Sequence, residues 1–427
     1  MLGLYVFSVV ALIIWGYFLT KKKMNPVTIY NMIWLVAILL YQLKISGLQQ
    51  ELDDATYWLF IMKSVVFTAG FSVFYKLRLN KRQKNAVKKE TRRQKSIAFS
   101  ENNYKKLLIL VFAIWCFVEI VETIYSGGLP IVWKLIGDPR TYSDYGISTV
   151  HGLMNAVGLV IISLSTMLYL KSKDRKRKLG YVGIILVCLG FYLSVITRQV
   201  IVSAVIQMFV IYLLMRKPYK KKSFYLKLVA LIVAGVAAFG IVGNFRTGYE
   251  NFLNVAEINN EVGSSQSSMA GFYWVYMYLT MSIANINNAV VLDVNNFGGL
   301  YPVARTFLPT VISKAIFPTD TAIKIPNYLV TPAFTVSGYF IDFYVGLGAL
   351  GVAIIAALYG ILGGLIYNAI QKKMNDRNIL LYAVYVQIIL LSFFYNHLLY
   401  LPSGFQLVII LVFYYFLTRN KDRHETS

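Results

Sequence analysis

Charge is scarce in this chain. Asp, Glu, Lys and Arg make up 14% of its 427 residues, while 57% are hydrophobic. A water-soluble domain carries about 25% charged residues, so there is too little polar surface here to cover one. The same composition excludes disorder. Cysteine is scarcer still, with two residues, which excludes a disulfide scaffold. Cys116 and Cys188 both sit in apolar runs, as packing residues do. The three histidines, His151, His397 and His424, are too scattered to predict a His-rich zinc site. No phosphate-loop motif, nucleotide fingerprint or metal-spaced Cys or His cluster is present. Without a nucleotide-binding device, ATP-driven transport is excluded, and no cofactor or metal is expected.

What the chain has instead is a series of apolar runs of about 20 residues, the length that crosses a bilayer. They predict an all-α, polytopic integral membrane protein of one domain, 1–427. Eleven spans are expected: Leu2–Leu19, Val27–Lys44, Tyr57–Tyr75, Leu107–Tyr125, Val150–Leu170, Leu179–Thr197, Gln199–Met215, Tyr225–Gly243, Ile341–Ile370, Ile379–Phe394 and Ser403–Leu417. Lys21-Lys22-Lys23 follow the first run and no basic residue precedes it. That flank predicts a retained anchor with its N-terminus outside.

The charges then sort by alternate connections. Of the 42 Lys and Arg, 33 fall in 21–23, 76–106, 171–178, 216–227, 372–377 and 419–423, while 13 of the 19 acids fall on the opposite side. The net +23 is therefore a positive-inside signal rather than a nucleic-acid signature. It predicts a multi-pass membrane protein with a cytoplasmic C-terminus. The basic stretch 76–106 is expected to lie on anionic lipid headgroups.

The long segment 244–340 is expected at the outer face, and connections of that length are usually functional. Within it Gly271–Leu292 carries no charge, an aromatic first half and an Asn/Ser-bearing second half. We expect a re-entrant or interfacial helix beside an outer cavity. The alternative is a twelfth span, which would move Arg305 inside. Gly346, Gly348, Gly351, Gly360, Gly363 and Gly364 are read as packing residues of one long span.

Several ionisable residues run against the positive-inside bias. Arg140, Arg198, Arg246 and Arg305 all fall on the outer side. One such arginine is readily explained by snorkelling; four together suit a pyrophosphate, because guanidinium recognises phosphate bidentately. Asp342 begins the ninth span, and His397 lies in the last outer turn. Either is a candidate proton acceptor, and an ion pair and an interfacial hydrogen bond are the plainer readings. Glu119 and Glu122, spaced i, i+3, share a face of the fourth span. Lys63 lies within the third span, snorkelling or paired. Tyr249, Tyr273, Trp274, Tyr276, Tyr278, Tyr301 and Tyr328 crowd the long outer segment. Rings such as Tyr273, Trp274 and Tyr301 are candidates to stack on sugars.

The stretch Thr335-Val336-Ser337-Gly338-Tyr339-Phe340-Ile341-Asp342-Phe343-Tyr344-Val345-Gly346-Leu347-Gly348-Ala349-Leu350-Gly351 resembles the oligosaccharide repeat-unit polymerases, the Wzy-type enzymes of O-antigen and capsule synthesis. Their members often carry a Tyr–x–Asp–Phe–Gly–x–x–Gly-like stretch at a late span. Here Tyr344 and Val345 precede Gly346, so the glycine is displaced. Tyr278–Asn288, with Ser282 and Asn285, also resembles the family's preceding stretch. The resemblance implies a metal-independent membrane glycosyltransferase with a GT-C-like architecture. Its substrates would be undecaprenyl-pyrophosphate-linked oligosaccharides, and its partners the chain-length regulator and flippase of the same pathway. Asp342 and His397 would then be catalytic, and the four arginines would bind pyrophosphate. Two rival readings are a lipid-linked oligosaccharide flippase or other secondary transporter, and a non-enzymatic scaffold of an envelope-assembly complex.

Overall fold

The computed structural model describes residues 1–89, 101–218, 222–258, 270–295, 299, 301–308, 312, 315–316 and 327–424. It is all-α, with no strand among the described residues. The helices are α1 (Leu2–Thr20), α2 (Pro26–Tyr41), α3 (Asp54–Lys89), α4 (Glu101–Tyr125), α5 (Pro130–Ile136), α6 (Val150–Lys171), α7 (Arg175–Ser194), α8 (Arg198–Arg216), α9 (Lys222–Thr247), α10 (Tyr249–Val255), α11 (Ala270–Val291), α12 (Tyr301–Phe307), α13 (Ile341–Lys372), α14 (Asp376–Leu390) and α15 (Leu401–His424).

Seven stretches among the described residues are long and apolar enough to cross a membrane: Leu2–Thr20, Asp54–Lys76, Asn103–Ile136, Val150–Lys171, Arg175–Ser194, Arg198–Arg216 and Ile341–Lys372. Pro26–Tyr41 and Leu401–Leu417 are apolar but shorter. This is a multi-pass membrane architecture. Phe7, Ile124 and Leu226 are each more than 70% exposed, which suits a lipid-facing surface and no other. The helical boundaries follow local chemistry. The side-chain oxygen of Asn25 accepts from the Thr28 N–H at the start of α2, with Pro26 at the first helical position. Asn375 caps α14 in the same way.

One expected boundary comes out differently. Helix α3 continues through the basic residues to Lys89, because Lys, Arg and Gln are good helix formers and no Gly or Pro intervenes. Residues 90–100 of the expected basic connection lie outside the described residues. Ala270–Val291 is one unbroken helix, without an inward turn and return, which agrees with the interfacial form of the expectation and not with the re-entrant one.

The basic turns gather at one end of the bundle. Lys171 pairs with Asp376, Arg216 donates to the Leu170 carbonyl at 2.7 Å, and Asn368 donates to the Tyr75 carbonyl at 2.9 Å. Helices α3 and α13 run side by side toward that end at very short range. A Cβ on Gly360 would stand 2.1 Å from the Phe67 carbonyl oxygen, and one on Gly364 would stand 2.7 Å from that of Phe71. Only glycine permits backbones this close. Around the same axis Trp34, Phe60, Tyr339 and Phe340 pack edge to face.

Lys63 lies wholly inside this aromatic core. Its Nζ stands 3.6 Å from the centre of the Trp34 ring and 3.4 Å from the Tyr30 hydroxyl. Cation–π attraction replaces a counter-ion there. Helix α13 is interrupted near its start: Gly348 has φ 60° and ψ −146°, a conformation essentially closed to residues with a Cβ.

Candidate functional site

The end of the bundle opposite the basic turns holds the sequence candidates. Helix α11 lies across it. Near its start the Trp274 Nε1–H donates to Asn244 Oδ1 at 3.0 Å, and the Tyr276 hydroxyl donates to Gln49 Oε1 at 2.7 Å. Near its finish Asn287 Oδ1 accepts from the Asp53 N–H at 2.9 Å and the Thr56 hydroxyl at 2.8 Å. Tyr276 and Asn287 of α11 therefore both meet the connection that precedes α3, while Gly271 lies against Val236 and Gly240 of α9. Ala270–Val291 is also not among the stretches apolar enough to cross a membrane.

Asn285 is the clamp of this region. Its Nδ2 donates to the carbonyls of Phe334 at 2.7 Å and Val336 at 2.8 Å, and its Oδ1 accepts from the Val330 N–H at 2.8 Å. Asn288 Nδ2 adds a bond to the Tyr328 carbonyl at 3.0 Å. The segment 327–339 is thereby laid along α11. It then pairs with the turn after α14 through the Ser337 and Gly338 N–H groups on the Phe394 carbonyl, both at 3.0 Å. The two stretches that carry the family resemblance thus touch each other.

Arg198 starts α8. The turn before it is tight: Ile196 has φ 61°, and the Thr197 N–H donates to the Tyr192 carbonyl at 3.1 Å. A cation at a helix N-terminus opposes the helix dipole by about 0.3–1 kcal/mol, so helix formation alone does not favour it. Its guanidinium lies 5.3 Å from the Trp274 ring centre and 5.8 Å from that of Tyr278. Trp274 also stacks on Phe252 at 3.9 Å. Tyr278 also meets Phe334 and Phe394 at 6.1 and 5.8 Å. Beside Arg198, the side chain of Gln199 bonds Tyr395, which stacks on His397 at 4.4 Å. The result is a guanidinium on the positive end of a helix dipole, framed by aromatic rings. That arrangement suits an anion carried next to a flat, partly apolar group.

The remaining candidates lie as follows. Asn244 of α9, two residues before Arg246, bonds Trp274, so the α9 backbone brings Arg246 to this neighbourhood. The side chains of Arg246 and Arg305 lie outside the described residues. Arg140 grips Asp138 with Nη2 at 2.7 Å and Nε at 3.1 Å, donates to the Ser126 carbonyl at 2.8 Å and covers the Trp133 ring at 4.2 Å. These contacts tie together the 126–149 connection.

Tyr273 is buried against Phe272. Tyr301 opens α12, and the adjacent Gly299 carbonyl lies against Gly346 of α13. Asp342, half-buried, occupies the first turn of α13, where the helix dipole favours an acid. The neighbouring Tyr328 hydroxyl is pushed up to about 12, by burial first and by the Asp342 carboxylate second. Tyr328 meets the far end of α11, fourteen residues or about 21 Å of helix from Trp274.

His397 is fully buried, with Nδ1 2.9 Å from Ser403 Oγ. Burial pushes its imidazole down to about 3 and keeps it neutral. It ends a chain of buried amides in which Ser163 donates to Gln207, and Gln207 Nε2 donates to Gln387 and Gln406.

Sequence reasoning overlooked Tyr395, for which no local motif exists. Tyr278 stands one turn beyond Trp274, and that i, i+4 spacing already puts the two rings on one face.

No family model matches the chain, and neither a curated protein nor a solved structure matches it.

Proposed function

We propose that the protein is a membrane glycosyltransferase that polymerises lipid-pyrophosphate-linked oligosaccharide repeat units at the outer face of the bacterial cytoplasmic membrane, with a GT-C-like architecture. The observation that carries the reading is Arg198 set beside the stacked rings of Trp274 and Tyr278 at the start of α8. The resemblance of the 335–351 stretch supports it independently.

In this reaction the bond between the anomeric carbon of the growing glycan and its lipid pyrophosphate breaks. A new bond forms to a hydroxyl oxygen of the incoming unit. Negative charge builds on the departing pyrophosphate, where a preplaced guanidinium and a helix N-terminus stabilise it. The hydroxyl proton passes to a base. Neither sequence candidate stands ready beside Arg198: the His397 imidazole is buried and resists protonation, and Asp342 neighbours Tyr328, at the end of α11 remote from Trp274.

The test is a single-turnover assay of the purified protein with lipid-linked repeat units. Lengthened glycan and released lipid pyrophosphate are expected. Asp342→Asn, at normal abundance, should abolish turnover if Asp342 is the base. A transporter is the second reading, favoured by the interruption of α13 at Gly348, since transporters bind substrate at broken helices. Passage of lipid-linked units across proteoliposomes without any new glycosidic bond would select it and overturn the polymerase.

A further inference from the structure

A second cluster of polar groups lies between α4 and α6, beneath the 126–149 connection. Glu119 and Glu122 share one face of α4, and His151 comes to them from the first turn of α6. One ligand-capable atom from each of the three lies within 4.8 Å of the others. His151 Nδ1 is 3.0 Å from Glu122 Oε2, whose other oxygen accepts the Ile147 N–H at 2.9 Å. Glu119 is only 3% exposed, and neither of its carboxylate oxygens has a hydrogen-bond partner. Among the described residues His151 is the one basic side chain in ion-pair contact with either glutamate.

Two buried carboxylates in apolar surroundings demand neutralisation. A dication supplies it without remainder: two negative charges, one neutral imidazole and a charge of +2 sum to zero. The donor set of two carboxylate oxygens and one imidazole nitrogen selects a borderline transition metal such as Zn²⁺ over Ca²⁺ or Mg²⁺, which favour all-oxygen shells. Ligand atoms about 2.0–2.1 Å from zinc stand about 3.3 Å apart in a tetrahedron. The Glu122–His151 separation is already in that range, and a small turn of the Glu119 carboxyl closes the rest.

The surroundings of His151 fit as well. Asn155, 4% exposed, places Nδ2 3.0 Å from His151 Nε2, and its Oδ1 has no partner. With the amide turned over, Oδ1 would accept the Nε2–H while Nδ1 faces the metal. That is the outer hydrogen bond a metal-bound histidine commonly makes.

We propose that Glu119, Glu122 and His151 form a zinc-type dication site that staples α4 to α6. The site is independent of the polymerase reading. It holds the 126–149 connection through Glu122 and Ile147, and three protein ligands leave a fourth position for water.

The test uses full-length protein purified in detergent, stripped with chelator and titrated with Co²⁺ as a spectroscopic probe. One equivalent should bind, with visible d–d absorption displaced by Zn²⁺. Glu119→Gln and His151→Asn should each weaken binding at least tenfold, while His424→Asn, far along the chain in the C-terminal helix, leaves it intact. Zn²⁺ should raise the thermal midpoint of the wild type and not that of Glu119→Gln. Should a variant fail to elute as a monodisperse species, the stoichiometry and Zn²⁺-dependent midpoint of the wild type decide alone. No saturable uptake by the wild type, or equal uptake by the Glu119→Gln/His151→Asn double variant, would mean that protons neutralise the glutamates, and the site is lost.

Discussion

Arg198 combines a planar fork of donors with a position the helix itself does not favour. Lysine at the same place keeps the charge but loses the fork. If Arg198 grips a pyrophosphate, Arg198→Lys forfeits a charge-assisted hydrogen bond of about 1.5–3 kcal/mol, roughly ten- to a hundredfold in single-turnover rate. Arg198→Ala should cost more. Full turnover by Arg198→Lys at matched protein level would sink the proposal. His397 makes a different prediction. Its imidazole titrates near 6.5 when exposed and is pushed down to about 3 by burial. Below pH 6.5 the unfolded chain therefore takes up a proton that the folded chain refuses, and stability falls as pH falls toward 3. The limiting slope is about 1.4 kcal/mol per pH unit. The thermal midpoint in detergent should drop between pH 7 and pH 5, and His397→Gln should flatten that drop. At this scale the sequence was informative about which residues are out of place, because an outer-side arginine or an intramembrane lysine violates a local rule. It was silent about partners. Nothing near Arg198 names Trp274, and nothing near Glu122 names His151, since helix pairing is decided by packing across the whole bundle.

Helix α11 and the 327–339 segment show what one element asks of another. The segment has no regular structure, and its backbone groups need partners. Asn285 supplies three of them. Asn285→Ala leaves buried carbonyls and an N–H without partners, at about 1–3 kcal/mol for each group left unsatisfied. The expected outcome is a near-normal amount of protein whose 327–339 segment is cut readily by added protease, together with a large loss of turnover. Protection equal to wild type would show that the clamp is dispensable. The apolar runs behind α1, α3, α4, α6, α7, α8 and α13 were legible because hydropathy depends on composition alone. The glycines of α13 were legible as packing residues for the same reason, whereas their partner on α3 was not. The path of α11 was also beyond reach: its uncharged, Tyr- and Asn-rich composition fits a span, a re-entrant turn or a helix lying across the bundle end. Its bonds to Gln49, Asp53 and Thr56 hold it to the connection that precedes α3.

For the molecule as a whole, the prediction is one of sidedness. Lys171, Asp376 and Arg216 meet at one end, and α11 covers the other. Cysteines introduced at Lys173 and Lys373 should react with an impermeant reagent only after the cytoplasm is opened. Cysteines at Gln50, Ser143 and Asn295 should react in intact cells. The pair that tests α11 is Ser265 and Asn295, which flank it in the chain: opposite labelling of these two would make α11 a full span. Labelling of Lys173 from outside would invert the orientation and remove Arg198 from the face where a lipid-linked glycan is expected.

Lys63 bears on the order in which the chain is made. A cation at the middle of an apolar helix costs about 2.5–3.5 kcal/mol on insertion, and a nascent helix meets that cost before most of its final neighbours exist. The rings that take up this ammonium come from Tyr30, Trp34 and Phe60. All three leave the ribosome before Lys63 does. The first three helices can therefore enter the bilayer as a self-sufficient group, with the charge shielded while most of the chain is still unmade. Tyr339 arrives much later and closes on the Tyr30 hydroxyl at 2.8 Å. The cage around Lys63 is thus drawn from α2 and α3, and the later chain only closes it.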